Sequence, residues 1–263
     1  MKVVVITGST RGIGFGLAEQ FLRRGCSVVV SGRSQESSQA AAETLVGAFL
    51  TERVAAHPCD ACEPEQLQRL WDHAVEQFGH VDIWINNAGI SGPQVMMWDY
   101  TPEQARCVIE TNLLGTVYGA KIAIEGMLAQ GFGAIYNLEG MGSGGRIQPG
   151  LALYGTSKAA ITYLTQALAE ELEDTHVLVA SLRPGMVITD LVMQHYQDNP
   201  EAFERVRGIF SIIADRVETV TPWLVEKILA NDKSGRVISW YSPWKLAWRF
   251  LSAPFTKRNV FDV

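Results

Sequence analysis

Apolar residues along the chain come in two rhythms, short unbroken β-branched runs and longer stretches with a helical repeat, and the two alternate almost to the end. The first run, residues 2–7, gives way to glycine-rich sequence and then to helical periodicity over 13–24. The pattern returns as a strand at 27–31 with a helix at 37–49, and again as a strand at 53–57. A helix at 65–78 carries Leu67, Leu70, Trp71, Ala74 and Phe78 on one side, and a strand at 81–85 follows it. Beyond lie helix 102–130, strand 133–138, helix 152–174, strand 177–183, helix 221–230 and strand 236–240. Strands that are apolar throughout, rather than at every second position, are covered on both faces, which requires a parallel sheet wrapped by helices. The expected fold is a doubly wound, Rossmann-type α/β domain with a seven-stranded parallel sheet and helices on both faces.

Two segments fall outside this alternation. Residues 189–215 follow the sixth strand and suit a substrate lid, and 241–263 form a Trp-rich tail. No composition shift marks a linker, so residues 1–240 are expected to be one domain that includes the lid, with the tail part of the same unit. In the tail, Trp244 and Trp248 share a helical face beside one that carries Lys245 and Arg249. Such a pattern suits either peripheral contact with a membrane or packing between subunits.

Of 263 residues, 47% are hydrophobic and 19% charged, which excludes a disordered chain. The net charge of −6 and the lack of any basic run exclude a nucleic-acid partner and favour a small molecule. The four cysteines are too few for a disulfide framework and fit a reducing compartment. Cys59 and Cys62 have the spacing of half a zinc site, but no second pair completes it, so no metal is expected. No run of about 18 apolar residues is present, and the opening apolar run is too short for a signal-peptide core, so a cytoplasmic location is expected.

The chemistry begins after the first strand. Thr7-Gly8-Ser9-Thr10-Arg11-Gly12-Ile13-Gly14 joins strand to helix with glycines that let backbone N–H groups approach a pyrophosphate at the helix N-terminus. The residue that closes the second strand selects the dinucleotide, because an acid there binds a free ribose 2′-hydroxyl and repels a 2′-phosphate. Ser31-Gly32-Arg33-Ser34 has no acid but offers a guanidinium and two hydroxyls, with Arg11 in reach of the same corner. That chemistry points to NADPH (NADP). Asp60, after the third strand, is placed to bond an adenine amino group. After the fourth strand, Asn86-Asn87-Ala88-Gly89 sets small residues and amides where backbone must approach the cofactor's ribose.

Tyr154 and Lys158 open a helix at the sheet's ligand-binding edge, and their four-residue offset puts phenol and ammonium on one face. A second pair with this spacing, Tyr241 and Lys245, encloses Pro243, which argues against a helix running through Tyr241. A free phenol has a pKa of about 10, and an adjacent ammonium stabilises the phenolate. The pair can therefore protonate the alkoxide formed when hydride reaches a carbonyl carbon.

Taken together, the residues from Thr7 to Gly14, the Asn86 to Gly89 segment, Asn112, Tyr154 with Lys158, and Pro184-Gly185-Met186-Val187-Ile188-Thr189 resemble the short-chain dehydrogenase/reductase family. The resemblance covers about residues 1–190 and, more weakly, 235–239. It implies an oxidoreductase built as a homodimer or homotetramer. It also implies that Asn112 holds a water linking Lys158 to solvent, and that Pro184, Gly185, Val187 and Thr189 hold the nicotinamide carboxamide. A helix-interior amide satisfied by backbone is the other reading of Asn112.

The family usually has a hydroxyl residue thirteen positions before the tyrosine, and here that position is Met141. Ser143, in the glycine-rich loop that follows, is taken as the substitute donor to the carbonyl oxygen, against the alternative of a serine serving its own turn. The loop Asn137-Leu138-Glu139-Gly140-Met141-Gly142-Ser143-Gly144-Gly145 is similar to that of the chlorophyll b reductases, plant-type members of the family. This likeness implies a flat, lipophilic tetrapyrrole aldehyde, the 7-formyl group of chlorophyll(ide) b, reduced to hydroxymethyl. Another lipophilic ketone or alcohol remains an alternative, as does a non-catalytic NADP(H)-binding regulator. Met96, Met97, Trp98, Met141, Met186, Val192, Met193 and Tyr196 are candidates for an apolar wall, and His195 for an approach to a ring magnesium.

Overall fold

A computed structural model describes residues 1–197, 200–253, 255, 256, 258, 260 and 261. The strands are β1 (Val3–Ile6), β2 (Ser27–Val30), β3 (Val54–Ala56), β4 (Ile83–Asn86), β5 (Gly133–Leu138), β6 (Val177–Arg183), β7 (Val187–Ile188), β8 (Asp215–Arg216) and β9 (Val237–Ser239). Seven of them form one parallel sheet in the order β3-β2-β1-β4-β5-β6-β9, as the unbroken apolar runs required. The order reverses between β1 and β4, and such a switch point opens a crevice at the carboxyl ends of the strands.

Helices α1 (Gly12–Arg23), α2 (Gln35–Val46), α3 (Pro64–Phe78), α4 (Pro102–Ile109), α5 (Gly115–Gln130) and α6 (Ala152–Glu171) alternate with the strands. Successive strand residues point to opposite faces. Val4 and Ile6 therefore join Leu17, Phe21 and Leu224 in one core, while Val5 joins Leu67, Trp71, Trp84 and Met127 in the other. A chain of buried polar side chains crosses the sheet beneath the cleft. Trp84 donates to Asn86 (2.8 Å), Asn86 to Asn137 (2.8 Å), and Asn137 to Thr165 on α6 (2.9 Å).

The helix expected over 102–130 is interrupted. A π-helical turn, Glu110–Leu114, separates α4 from α5, and because that turn is itself helical the segment reads in sequence as one helix. The helix expected from Thr221 begins four residues earlier, as α9 (Val217–Leu229), and carries Pro222 within it.

The lid segment folds into α7 (Asp190–Met193) and α8 (Pro200–Ile213), and β7 pairs with β8 in a small parallel sheet that was not anticipated. Phe210, Ala214 and Val260 form a satellite core with Met186, Ile188, Val192 and Tyr196. Residues 198 and 199 of the expected lid, and 254, 257, 259, 262 and 263 of the expected tail, lie outside the described residues.

The tail begins with α10 (Pro243–Ser252), capped by Ser242, so the helix starts after Tyr241 as Pro243 implied. Its two cations turn inward. The Lys245 ammonium sits 3.0 Å from the centre of the Trp240 ring, and Arg249 makes a two-pronged ion pair with Asp215 (2.8 and 2.9 Å). The basic face read from the helical repeat is thereby spent inside the molecule, while Trp244 (85%) and Trp248 (70%) remain exposed.

Candidate active site

Gly8 and Gly12, with φ of +62° and +58°, bend the chain from β1 into α1 through a region that disfavours side chains. Arg11 stands at the N-cap in extended conformation with no side-chain capping bond, and the first turn contains no acid. The leading N–H groups of α1 therefore have no side-chain cap, which suits a pyrophosphate. The loop is clamped from the next strand, with Asn87 Nδ2 donating to Thr7 O (2.9 Å) and Gly8 O (2.8 Å). Thr7 Oγ1 accepts from Asn87 N and Ala88 N. On the far side, Thr189 Cγ2 lies 3.5 Å from where a Cβ on Gly12 would be, so the segment from Pro184 to Thr189 comes to the same loop. These residues fit a dinucleotide.

Several side chains of this corner have partners within the protein. Ser9 and Ser31 are fully buried, and both donate to Ile6 O (2.7 and 3.3 Å), stapling β1 to β2. Buried hydroxyls must find partners, and here the nearest is backbone. Ser34 caps α2 by accepting from Ser37 N (3.1 Å). The side chain of Thr10 crowds Gly32, and Ile13 packs on the core. Arg11 lies 3.5 Å from Asp190 on α7, an exposed pair, rather than standing free for the cofactor. Arg33 is exposed and has no carboxylate partner among the described residues. Asp60 is held near this corner, where Cys59 N donates to Gly32 O (2.7 Å), and its carboxylate accepts from Cys62 N (3.0 Å). Burial pushes the Cys59 thiol up to about 12, so it is inert.

At the other end of the cleft, Tyr154 and Lys158 stand on the first turns of α6, with the Lys158 Nζ 5.9 Å from the centre of the phenol ring. The Lys158 ammonium is buried and donates to Leu138 O (3.0 Å). The Tyr154 hydroxyl makes no hydrogen bond among the described residues and lies against Gly140, where any Cβ would collide with it. Gly140, fourteen positions before the tyrosine, therefore faces the phenol, one position earlier than the count that led to Met141.

Burial pushes the Tyr154 phenol up to about 12. Burial also pulls Lys158 down to about 8, opposed by the charge of Glu139. Ser143 donates to Lys158 O (2.9 Å) and accepts from Gly140 N (3.3 Å).

Asn112 sits fully buried in the π-helical turn. Its amide exchanges two hydrogen bonds with the Ile90 backbone (both 2.8 Å) and donates to Ser157 Oγ (3.1 Å). Gly89 separates it from Lys158, since a Cβ there would lie 3.2 Å from Asn112 Oδ1 and 3.6 Å from Lys158 Nζ.

A cavity of about 570 Å³ lies between residues 94–99, the Pro149 and Gly150 loop that leads into α6, and the lid. Met96, His195 and Tyr196 line it, with Gln94, Asp99 and Arg205 supplying polar groups. Met186 and Val192 pack into the satellite core instead, and His195 bonds Ser91 Oγ (2.8 Å). Met97 and Trp98 stay exposed beside the cavity.

Two features had no counterpart in the sequence reading, a buried Glu139–Arg183 pair and the Asp215 cluster. The available signal was an isolated acid at the end of an apolar run in each case.

The model of the short chain dehydrogenase family matches residues 2–200, and the chain belongs to that family. It is 30% identical over 275 residues to a probable chloroplastic chlorophyll(ide) b reductase of Arabidopsis thaliana, covering 98% of this chain and 54% of that protein. A chloroplastic chlorophyll(ide) b reductase of Oryza sativa subsp. japonica is 38% identical over 232 residues, 86% of this chain and 66% of that protein. The chain thus spans about half to two thirds of the length of these relatives. Among solved structures, a tryptophan variant of actinorhodin polyketide ketoreductase with NADPH superposes with a TM-score of 0.81 at 28% identity, over 91% of this chain and 95% of that one. Among the described residues, no helix is long and apolar enough to cross a membrane.

Proposed function

We propose that the chain is an NADPH-dependent carbonyl reductase whose substrate is the formyl group of a chlorophyll(ide) b-type tetrapyrrole. The observation that carries the chemistry is a phenol with an uncommitted proton, Tyr154, on the same helical face as a buried ammonium, Lys158. A bound dihydronicotinamide supplies the hydride. Tyr154, neutral at physiological pH with a pKa of about 12, gives its proton to the oxygen that becomes an alkoxide. Lys158 holds positive charge next to the phenolate that remains, and Asn112 orders the Ile90 backbone behind Gly89. Arg33, exposed and with no carboxylate partner among the described residues, supports the preference for a 2′-phosphate. A non-catalytic binder would have no use for this proton donor.

The substrate class is supported by the likeness to the two plant reductases. Incubation of the protein with chlorophyllide b and either NADPH or NADH tests the reading. Conversion of the formyl pigment, faster with NADPH, is expected. Turnover confined to steroid-like or acyl ketones would replace the substrate, and faster turnover with NADH would remove the role given to Arg33.

In this reading Ser143 turns its hydroxyl from Lys158 O to the substrate oxygen. Ser143→Ala is then expected to lower kcat about 10²-fold. An unchanged kcat would leave that hydroxyl to its own loop.

A further inference from the structure

Glu139 follows β5 directly and is only 2% exposed. A carboxylate taken out of water is costly unless its oxygens are paired. Oε2 is paired, with Arg183 Nε at 2.7 Å and Nη2 at 2.5 Å across from β6. Oε1 is equally buried and has no hydrogen-bond partner among the described residues.

The backbone around this half-paired acid is fastened to Lys158 at both ends. The preceding carbonyl, Leu138 O, accepts from Lys158 Nζ, and the following amide, Gly140 N, donates to Ser143 Oγ, which in turn donates to Lys158 O. Around Lys158 stand Tyr154 on its own helix, Gly140 and the Gly89 backbone with neutral Asn112 beyond it, and the charge of Glu139, backed by Arg183, acts on it. Among the described residues, Glu139 is the one anion in that set.

We propose that Glu139 is a positioning residue of the active site, a buried counter-charge anchored by Arg183 that keeps the Lys158 side chain an ammonium beside the Tyr154 phenol. The proposal rests on the reading of Tyr154 and Lys158 as the proton-handling pair. Its physical origin is plain: burial favours a neutral amine, and a fixed carboxylate of low mobility offsets that preference without closing the cleft. Arg183 tempers the effect by neutralising part of the charge, and holds the acid where the loop of Ser143 begins.

The test follows Lys158 directly. Protein labelled with ¹³Cε-lysine is titrated by NMR, with the Lys158 resonance assigned by Lys158→Arg, and kcat is measured against pH in parallel. In Glu139→Gln the Lys158 midpoint is expected to fall by about one pH unit from its starting value near 8. The falling basic limb of kcat should move with it, reducing turnover at pH 8 about fivefold while sparing the low-pH plateau. Glu139→Asp should restore the limb. Arg183→Gln, which alters the charge that Glu139 presents, should also move the midpoint, and it keeps the test available if Glu139→Gln does not fold. An unmoved Lys158 midpoint in both variants would overturn the proposal, as would equal loss of activity in Glu139→Gln and Glu139→Asp without a change in the pH profile. If the wild type turns over no carbonyl at all, the functional reading fails, whereas the NMR titration still decides the role of Glu139.

Discussion

Tyr154→Phe is expected to lower kcat by about 10²–10⁴-fold, the range for removing a positioned general acid. The nicotinamide cofactor should still bind, because the nucleotide loop and its clamp through Thr7 and Asn87 lie on separate elements. The fold should be unaffected, since the phenolic hydroxyl makes no hydrogen bond among the described residues. Single-turnover kinetics with saturating NADPH, alongside cofactor titration by fluorescence, separates the two effects. A variant that kept full single-turnover rate would take the proton donation away from Tyr154. The wild-type pH profile has a matching sign. With the phenol at about 12 and Lys158 at about 8, reduction should be level at neutral pH and decline above about 8 as the ammonium is lost.

Asp215→Asn is expected to release the tail and destabilise the protein. The carboxylate is buried and receives Trp240 Nε1 (2.7 Å), both terminal nitrogens of Arg249 and Nη2 of Arg258 (2.7 Å). The Tyr241 hydroxyl, which donates to Ile213 O, lies 3.0 Å from it. One side chain thus ties β8, α10 and the residues beyond α10 to the lid. Removing one member of a buried ion cluster leaves its partners uncompensated, at a cost of about 3 kcal/mol. For a chain of this size that corresponds to a fall in Tm of roughly 6–12 °C. Limited proteolysis should cut first between residues 241 and 256, and unchanged cleavage with unchanged Tm would refute the role of the cluster.

Burial alone would raise this carboxyl, but hydrogen bonds from Arg249 and Trp240 hold it below the usual carboxylate range. A depressed folded-state pKa contributes stability that is present above the unfolded value of about 3.9 and lost as pH falls through the folded one. Tail release in acid is therefore expected below about pH 4 in the wild type.

The tail also shows why some of the site was hidden. Helical spacing placed Lys245 and Arg249 on one basic face, yet both turn in, Lys245 onto the Trp240 ring five residues before it and Arg249 onto Asp215, 34 residues away. The serine question has the same character. Counting back from Tyr154 pointed to Met141, whereas the residue against the phenol is Gly140, a matter of one loop residue that only the path of the chain reveals. Ser31 and Ser34 looked like cofactor hydroxyls, and the structure uses one as a strand staple and the other as a helix cap.

By itself, the amino-acid sequence determined the seven-stranded parallel sheet, the glycine turn at β1 and the four-residue offset of Tyr154 and Lys158. Each follows from local periodicity or from a backbone requirement carried by neighbouring residues. Tertiary structure alone decided the π-helical turn that holds Asn112, the partnering of Glu139 with Arg183 and the convergence of the tail on Asp215. Those depend on desolvating charges and amides against partners 22 or more residues away, and the energy of such a contact exists only once the chain has brought both groups out of water together.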